Sequence, residues 1–409
     1  MFTSLEGPAE VDEPFRVGNL GPDPGPKRPA LESRAGRTAV SIPGFGLDVA
    51  NPPTRRYALS TYSWNLQRTT SVTLKDVARA AGIHYSTASR ALDPAKRKLV
   101  NSATAAHVRK VAAQLGYNQD MVARSLRRGQ TNTVGIVVPD FENPTWAAIL
   151  HGVTSALERS GYVGLLGETE DDHDRYQRLL EKLVGWRVDA VVSMATRLSD
   201  GPYLREFASR GVPIVLAIRT LPGEGFVNIT EDSVLGGSMA AEHLIGLGHR
   251  SLAQLRGPSQ VQTFEDRGRG FVRAAADHGI DVLEMVGTGA TPTYEEGRRL
   301  MGLLLDRDAA PPTAVFAHND LMAIGAMDVL AAREIRCPDD VSVIGYNDSP
   351  LVEHVRPALT TIRLPAAELG QLAGTSVVKL VERAEDPPES TVLPPTLVVR
   401  ASTAPPRPL

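Results

Sequence analysis

The chain has 409 residues, of which 42% are hydrophobic and 22% are charged, and its formal net charge is −3. This composition excludes a fibrous or wholly disordered chain, and no apolar run reaches the roughly 18 residues of a membrane-spanning helix. The single cysteine, Cys337, excludes an internal disulfide framework and a Cys-rich zinc site. The length predicts two to three domains at roughly 100–200 residues each. The N-terminus lacks the basic and apolar segments of a secretory signal, so we expect a cytoplasmic protein.

The near-zero net charge hides a strong asymmetry along the chain. Residues 1–67 are balanced, whereas residues 68–130 carry twelve Lys or Arg side chains against three Asp, a net charge of +9. The remainder, 131–409, carries a net charge of −12. A concentrated positive block suits the counterion release that accompanies binding to a phosphate backbone. A solvated basic face would have the same composition, so the motifs must decide between the two.

The first 68 residues are rich in Gly and Pro and show neither a helical nor a strand period. We expect residues 1–68 to be a disordered tail that belongs to no domain. The alternative is that the coding start has been assigned too early.

Three short amphipathic helices are predicted after the tail. Thr73 begins the first, because its hydroxyl and the Asp76 carboxylate form a capping box, and Gly82 ends it. The second helix is predicted over about 85–92 and the third over about 101–116. The first two form a helix-turn-helix, a motif that places the start of its second helix at the base edges of the DNA major groove.

The start of the second helix is rich in hydroxyl and guanidinium groups. Such groups suit contacts to base edges and phosphates, and Arg can bind guanine through two hydrogen bonds. The candidate DNA-binding residues here are Tyr85, Ser86, Thr87, Ser89 and Arg90, with Thr73 in addition. A generic three-helix core would show the same apolar pattern, but the +9 block favours DNA binding.

Beyond residue 132, apolar strand-like runs alternate with helices of about 10–18 residues. This alternation predicts an α/β fold with parallel sheets covered by helices on both faces. The strands are predicted near 134–138, 163–166, 190–192, 214–216, 226–229, 252–255, 282–286, 314–316 and 341–344. Nine strands are more than an average sheet contains, so we expect two α/β lobes over 132–403. A ligand would bind in the crevice at the carboxyl ends of the strands.

Two segments of the head, VTLKDVARAAG at 72–82 and STASRAL at 86–92, follow the pattern of the DNA-binding domain of the lactose/galactose repressor (LacI/GalR) family. This resemblance covers a predicted domain over 69–131. His84 stands where the family usually has a Ser N-cap, so we expect the second helix to start less firmly. The resemblance implies base reading at Tyr85, Ser86 and Arg90.

The segment that follows, with GYN at 116–118 and MVARSLR at 121–127, resembles the hinge helix of the same family. The resemblance implies a helix over about 120–128 that folds only on DNA. Leu126 is at the position of the leucine that wedges into the minor groove, which kinks the duplex. So short a helix should be unstable alone. A plain linker helix is the alternative. Further DNA-contacting candidates are Asn118, Ala123 and Arg124.

The body resembles the family nearly throughout. The motifs are NP at 143–144, EHLIGLGHR at 242–250, HNDLMAIGA at 318–326, VSVIGYND at 341–348 and PALTTI at 357–362. Their shared order over ~330 residues argues against chance. The body is also similar to periplasmic sugar-binding proteins, which hold a small ligand between two lobes. This similarity implies a two-lobed effector-binding and dimerisation domain over 132–403.

The resemblance also implies effector-binding residues. Trp146 is at the position of an aromatic that contacts the ligand, although a core anchor is an alternative. Arg267 matches a ligand-binding Arg, with a surface salt bridge as the alternative. Asn347 replaces the family's usual Asp, so a carboxylate is expected from Asp348 instead. The remaining candidates are Thr263, Tyr294, Asn319 and Asp320. A second Arg common shortly before Arg267 is missing, which disfavours a doubly anionic effector.

We therefore expect a sequence-specific DNA-binding transcriptional regulator, a repressor, whose operator affinity depends on a small-molecule effector, a sugar or sugar derivative. Two heads related by twofold symmetry imply a pseudo-palindromic operator on double-stranded DNA. The Pro-rich C-terminus, 401–409, has no leucine heptad, so we expect a homodimer rather than a tetramer. We expect no cofactor, no metal and no membrane partner, and a location at the nucleoid.

Two other classes are disfavoured. A sugar-binding protein of the periplasmic type without a DNA role would not explain the basic head or the missing export signal. An enzyme with an α/β fold is disfavoured because the sequence has no phosphate-binding G-x-x-x-x-G-K-[ST] loop, no G-x-S-x-G elbow and no H-E-x-x-H pair.

Overall fold

The structure is a computed structural model that describes residues 72–93, 96–117, 130–286, 291–307 and 310–407. The expected tail over 1–68 and the expected hinge helix lie outside these residues. The same holds for four candidate DNA-contacting residues, namely Asn118, Ala123, Arg124 and Leu126.

The described part of the head has three α-helices, α1 (Leu74–Ala80), α2 (Tyr85–Leu92) and α3 (Ser102–Gln114). The Asp76 carboxylate accepts a hydrogen bond from the Thr73 backbone N–H at 3.0 Å. The Thr73 hydroxyl oxygen in turn accepts from the Asp76 backbone N–H at 3.4 Å. Gly82 has a φ of +66°, which glycine adopts without strain. The predicted capping box, glycine stop and three helices are confirmed. Small apolar residues from all three helices form one core.

Twelve strands of the body form two six-stranded sheets. The strands are β1 (Thr133–Val138), β2 (Val163–Glu168), β3 (Ala190–Ser193), β4 (Ile214–Ala217), β5 (Val227–Glu231), β6 (Leu252–Arg256), β7 (Val282–Val286), β8 (Ala314–Ala317), β9 (Ser342–Asn347), β10 (Thr360–Arg363), β11 (Thr391–Leu393) and β12 (Thr396–Val398). Their orders are β11-β5-β4-β3-β1-β2 and β12-β10-β9-β8-β6-β7. Neighbouring strands are parallel, except that β12 runs antiparallel to β10.

Eight helices cover the two sheets. They are α4 (Thr145–Arg159), α5 (His173–Gly185), α6 (Gly201–Ser209), α7 (Ser233–Gly246), α8 (Gln262–Asp277), α9 (Tyr294–Leu305), α10 (Asp320–Ala332) and α11 (Ala366–Glu382). In the first lobe, α4 and α11 pack on one face of the sheet, and α5 and α6 on the other. In the second lobe, α7 and α8 cover one face, and α9 and α10 the other. The predicted two-lobed α/β body is confirmed. Among the described residues, no helix is both long and apolar enough to cross a membrane.

The chain passes between the lobes three times, after β5, after β10 and after β11. All nine predicted strands are present, whereas β10, β11 and β12 were not predicted. The last two have only three residues each and lie at sheet edges. Pro394 and Pro395 separate them, and proline is tolerated at edges but interrupts the strand pattern.

Candidate functional site

A narrow cavity lies between the two lobes, at the carboxyl ends of the parallel strands. Its wall is formed by Asp140, Asn143, Thr145, Trp146, Ile218, Arg219, Thr263, Phe264, Arg267, Pro292, Asn319, Asn347 and Leu364. Asp140 and Arg219 follow strands of the first lobe, whereas Asn319 and Asn347 come from strand ends of the second. The cavity therefore has the location that the parallel sheets predict.

Five of the eight effector candidates line this cavity: Trp146, Thr263, Arg267, Asn319 and Asn347. Asn319 also caps α10, because its Oδ1 accepts from the Met322 N–H at 2.8 Å. Its Nδ2 donates to the Pro292 carbonyl at 2.7 Å, which holds the loop before α9 against the cavity. Asn347 has a φ of +115°, a conformation rare for a residue with a side chain. The backbone turns there, at the end of β9.

Trp146 is both a core residue and a residue of the cavity wall. The indole belongs to the hydrophobic core of the first lobe and is 7% exposed, yet it also forms part of the cavity wall. Its Nε1 lies 3.4 Å from Asp140 Oδ2, to which it donates a long hydrogen bond. The ring is therefore held in place before any ligand enters, which lowers the entropic cost of binding.

Arg267 is buried, so the alternative of a surface salt bridge is wrong for this residue. One terminal nitrogen donates to the His318 carbonyl at 2.7 Å, and the other donates to Glu231 Oε1 at 3.0 Å. The guanidinium carbon lies 3.6 Å from the centroid of the Tyr346 ring. This cation–π contact with the Tyr346 ring helps to fix the orientation of the guanidinium.

His318 supports this arrangement as a neutral side chain. Burial, and then the nearby Arg267 and Arg256, hold the pKa of His318 well below its usual value. Its Nδ1 accepts from the Gly257 N–H at 3.4 Å, and its Nε2 lies 3.0 Å from Gln254 Oε1, which can accept the ring proton. The imidazole therefore adds no positive charge beside the arginine.

A second arginine, Arg219, reaches the cavity from the first lobe, and sequence analysis did not identify it. It follows β4 and forms a bidentate ion pair with Asp171, in which one nitrogen–oxygen distance is 3.0 Å. Both side chains are at most 3% exposed. The sequence lacks the second Arg that is common in the family shortly before Arg267. Arg219 supplies a second guanidinium from the other lobe, but it is already paired with the Asp171 carboxylate.

Two residues of the cavity wall each have a buried side-chain atom that finds no hydrogen-bond partner among the described residues, namely Thr145 Oγ1 and Arg267 Nε. Unpaired buried polar groups are costly, and native proteins contain few of them. Thr145 offers a donor and an acceptor, and Arg267 Nε offers a donor.

Three of the eight candidates, Tyr294, Asp320 and Asp348, do not line this cavity. Asp348 forms ion pairs with Arg363 and Arg400, at 2.7 Å in each case, so it does not replace the missing cavity Asp. Tyr294 begins α9, where its ring lies beside Arg298. Pro292, two residues earlier, forms the wall instead.

Asp320 is the third such residue, and it lies beneath the site rather than in its wall. The carboxylate is buried and accepts from the Ser349 N–H at 2.8 Å and from the Thr361 hydroxyl at 2.6 Å. Burial raises the pKa of Asp320 to about 6 despite these hydrogen bonds. Its contacts tie α10 to β10 and to the loop after β9.

Sequence analysis also missed several other wall residues, including Asp140, Thr145, Phe264 and Leu364. Each lies at a strand end or in the first turn of a helix that faces the cleft. The rule that parallel strands place their carboxyl ends at one edge could have identified Asp140 and Leu364. Nothing in the local pattern distinguishes Phe264 from a core residue.

In the head, the start of α2 is well defined. His84 Nδ1 accepts from the Ser86 N–H at 3.3 Å and lies 2.8 Å from the Ser86 hydroxyl. Histidine thus acts as the N-cap, although a weaker start was expected. Tyr85 and Arg90 are exposed, and Ser86, Thr87 and Ser89 are half-buried. The Thr73 hydroxyl donates to Asp76 at 2.7 Å, so its main contact is the cap of α1.

Comparisons with known proteins agree on one family. Residues 73–120 match the model of bacterial regulatory proteins of the lacI family, and residues 241–403 match a periplasmic binding protein-like domain. The ribose operon repressor of Escherichia coli (strain K12) is 33% identical over 333 residues, which cover 81% of this chain and 99% of that protein.

Two solved structures are similar over the same extent. The transcriptional regulator CelR–cellobiose complex is 31% identical with a TM-score of 0.61, covering 81% of this chain and 99% of that one. The lac repressor dimer bound to operator and the anti-inducer ONPF is 25% identical with a TM-score of 0.73, covering 82% and 99%.

The fold and the site define a two-lobed, periplasmic-binding-protein-like body joined to a helix-turn-helix head. The chain belongs to the LacI family of bacterial DNA-binding transcriptional regulators. The resemblance stated from the sequence is confirmed.

Proposed function

We propose that this regulator is a homodimeric repressor that binds a pseudo-palindromic operator and changes its operator affinity when a sugar or sugar derivative enters the cleft. The cavity between the lobes carries this proposal, because its wall combines the Trp146 indole with polar side chains from both lobes. The relatives named for ribose and solved with cellobiose support a carbohydrate, and the lac repressor dimer supports the assembly on operator DNA.

The proposed DNA interface is the exposed start of α2. Tyr85, Ser86 and Arg90 would read base edges, and Thr87 and Ser89 would add contacts from the same helix. The hydroxyl of Thr73 is engaged in the cap of α1, so its contribution would come from the end of that helix. Asn118, Ala123, Arg124 and Leu126 remain proposed contacts of a hinge helix over about 120–128.

The proposed effector site is the cavity wall. Trp146 would contact the apolar face of a sugar ring, and Thr145, Thr263, Asn319 and Asn347 would meet its hydroxyl groups. Arg267 would donate through its free Nε. Closure of the lobes around the sugar would change the separation of the two heads in the dimer and thereby the operator affinity.

The domain boundaries proposed for the chain are 1–68 for a tail, 69–131 for the head and 132–403 for the effector-binding and dimerisation body. Because operator binding requires access to the chromosome, we place the protein in the cytoplasm at the nucleoid. We propose no catalytic role. Within the described residues, no group of acidic, His or Cys side chains could hold a metal ion.

The DNA function is tested by selecting duplexes from a random pool with the full chain and measuring gel shifts on the selected site. We expect a two-fold symmetric site. Arg90→Ala should weaken binding to that site by about 10- to 100-fold, because a base contact of this kind contributes ~1–3 kcal/mol, and should relax preference at one base pair.

Lys110→Ala is the matched control, because it removes one exposed positive charge from α3, outside the helix-turn-helix. It should lower affinity equally for selected and random duplexes, if at all. Equal losses for the two variants, or full-affinity binding of a monomer to one half-site, would contradict the proposal.

A further inference from the structure

We propose that the effector is an uncharged polyol, and that Glu231 sets this preference by neutralising Arg267 from behind the cavity. The inference rests on the proposed function, since it names the chemical class that the cleft selects. It excludes sugar acids and sugar phosphates as the natural effector.

Glu231 is the last residue of β5, where the chain leaves the first lobe, and it is 2% exposed. Its Oε1 accepts from Arg267 at 3.0 Å and from the Ser233 hydroxyl at 2.6 Å. Arg267 lines the cavity, but Glu231 does not. The carboxylate therefore offsets the charge of the guanidinium without itself forming part of the cavity wall.

The arginine cannot easily exchange this partner for a ligand anion. Both terminal nitrogens are engaged, one by the His318 carbonyl and one by Glu231. The Tyr346 ring lies against the guanidinium, and a Cβ at Gly236 would come within 2.3 Å of the Tyr346 hydroxyl. This close packing holds the ring in place. Among the described residues, Nε is the one guanidinium nitrogen of Arg267 without a partner, and a single donor suits a hydroxyl better than the two oxygens of a carboxylate.

The cavity arginine of the first lobe, Arg219, is also paired with a buried carboxylate. Arg219 lines the cavity, whereas its partner Asp171 lies behind it, and both are buried. Each lobe thus contributes one guanidinium to the wall, and the first lobe contributes both compensating carboxylates, Asp171 and Glu231. Asp140, which also lines the cavity, adds a further acidic group.

The charged side chains at the site are two positive and three negative: Arg219, Arg267, Asp140, Asp171 and Glu231. The site therefore offers no net attraction to an anion. An anion that drew Arg267 away from Glu231 would leave a buried carboxylate that keeps hydrogen bonds from the Ser233 and Thr230 hydroxyls but has lost its positive partner. Leaving a buried charge without its partner is strongly unfavourable. A neutral polyol needs no positive counter-charge, so it can bind at this wall without breaking either ion pair.

The test compares matched ligands by thermal shift of the full chain: D-ribose with D-ribonate and D-ribose 5-phosphate, D-glucose with D-gluconate, and cellobiose with cellobionate. A ligand that binds the native state raises its melting temperature according to its concentration and Kd. We expect a neutral sugar to bind the wild type at least tenfold more tightly than its anionic counterparts. Glu231→Gln should reduce this ratio at least tenfold, because Gln keeps the size and the Oε1 acceptor but not the charge.

Glu242→Gln is the control, since Glu242 is an exposed residue of α7 outside the cavity and should keep the wild-type ratio. Asp171→Asn is a second variant in case Glu231→Gln does not fold, and it should move the ratio in the same direction. Tighter binding of an anion than of its neutral partner to the wild type overturns the inference. An unchanged ratio in both folded variants, or no binding across the panel, also counts against it. Gel shifts on the selected operator report separately whether the proposed DNA function holds.

Discussion

At the scale of single residues, burial decides what a titratable side chain can do. Asp320 accepts hydrogen bonds from Ser349 and Thr361, and these favour its charged form. Full burial outweighs them, and the pKa of Asp320 rises to about 6. The residue was a candidate ligand contact, but its position identifies it as a support for the loop after β9.

Asp320 should make the stability of the protein depend on pH in a specific window. Because its pKa is higher in the folded chain than in the unfolded chain, the native state binds the proton more tightly, and its contribution to stability falls as pH rises from about 4 to about 6. Asp320→Asn cannot ionise, and its amide can still serve Ser349 and Thr361. The free energy of unfolding of the variant relative to the wild type should therefore rise by about 2 kcal/mol across this window.

Urea unfolding of both proteins at several pH values measures this difference. If the free energy of unfolding changes with pH to the same extent in both proteins between pH 4 and 6, the prediction is wrong, and the carboxyl titrates as an exposed one does.

At the scale of elements, the helix pair α7 and α8 is packed backbone to backbone. A Cβ at Gly237 would lie 2.0 Å from the Arg267 carbonyl, and one at Gly270 would lie 2.0 Å from the Val234 carbonyl. The two glycines thus permit the close approach that fixes Arg267 relative to the end of β5. Position in a helix alone would argue against glycine, because it lowers helix stability.

Gly237→Ala should therefore destabilise the protein by about 1–3 kcal/mol or more, because the added methyl group meets rigid backbone. Gly246→Ala provides the matched control in the same helix, since nothing lies within 4 Å of its Cβ position. That change should be neutral or stabilise by about 0.5–1 kcal/mol through helix propensity. Thermal unfolding of the two variants checks this, and similar losses in both would show that the helices can separate without cost.

At the scale of the whole molecule, the two lobes are joined by contacts that an effector can bias. The Leu198 N–H of the first lobe donates to the Gln260 carbonyl of the second at 2.8 Å, and the Glu231–Arg267 ion pair links the lobes beneath the cavity. The three chain crossings allow the lobes to move relative to one another. An effector changes DNA binding only if its affinity differs between the lobe arrangements.

Coupling of this kind is reciprocal. The factor by which the neutral sugar changes operator affinity should equal the factor by which operator changes sugar affinity, because both report one coupling free energy. Titration calorimetry of the sugar with and without operator, and gel shifts with and without sugar, give the two factors. Trp146→Ala should abolish both while operator binding without sugar persists. Unequal factors would contradict a linked two-site mechanism.

The sequence by itself determined the organisation of this protein. Short-range patterns specified the head, since the capping box at Thr73 and the glycine at 82 act within a few residues. Apolar runs predicted nine of the strands, because a strand buried on both faces must be apolar throughout. Family motifs then identified five wall residues of the cavity, including Trp146 and Arg267.

Only the tertiary structure decided the electrostatics of the site. Glu231 and Arg267 are 36 residues apart, and Asp171 and Arg219 are 48 apart, so no local pattern pairs them. The same is true of Asp348, whose charge is directed to Arg363 and Arg400 rather than to the cavity. Burial and partner choice depend on how the strand ends of two sheets meet. A buried charge takes its properties from neighbours in space rather than from neighbours in the chain.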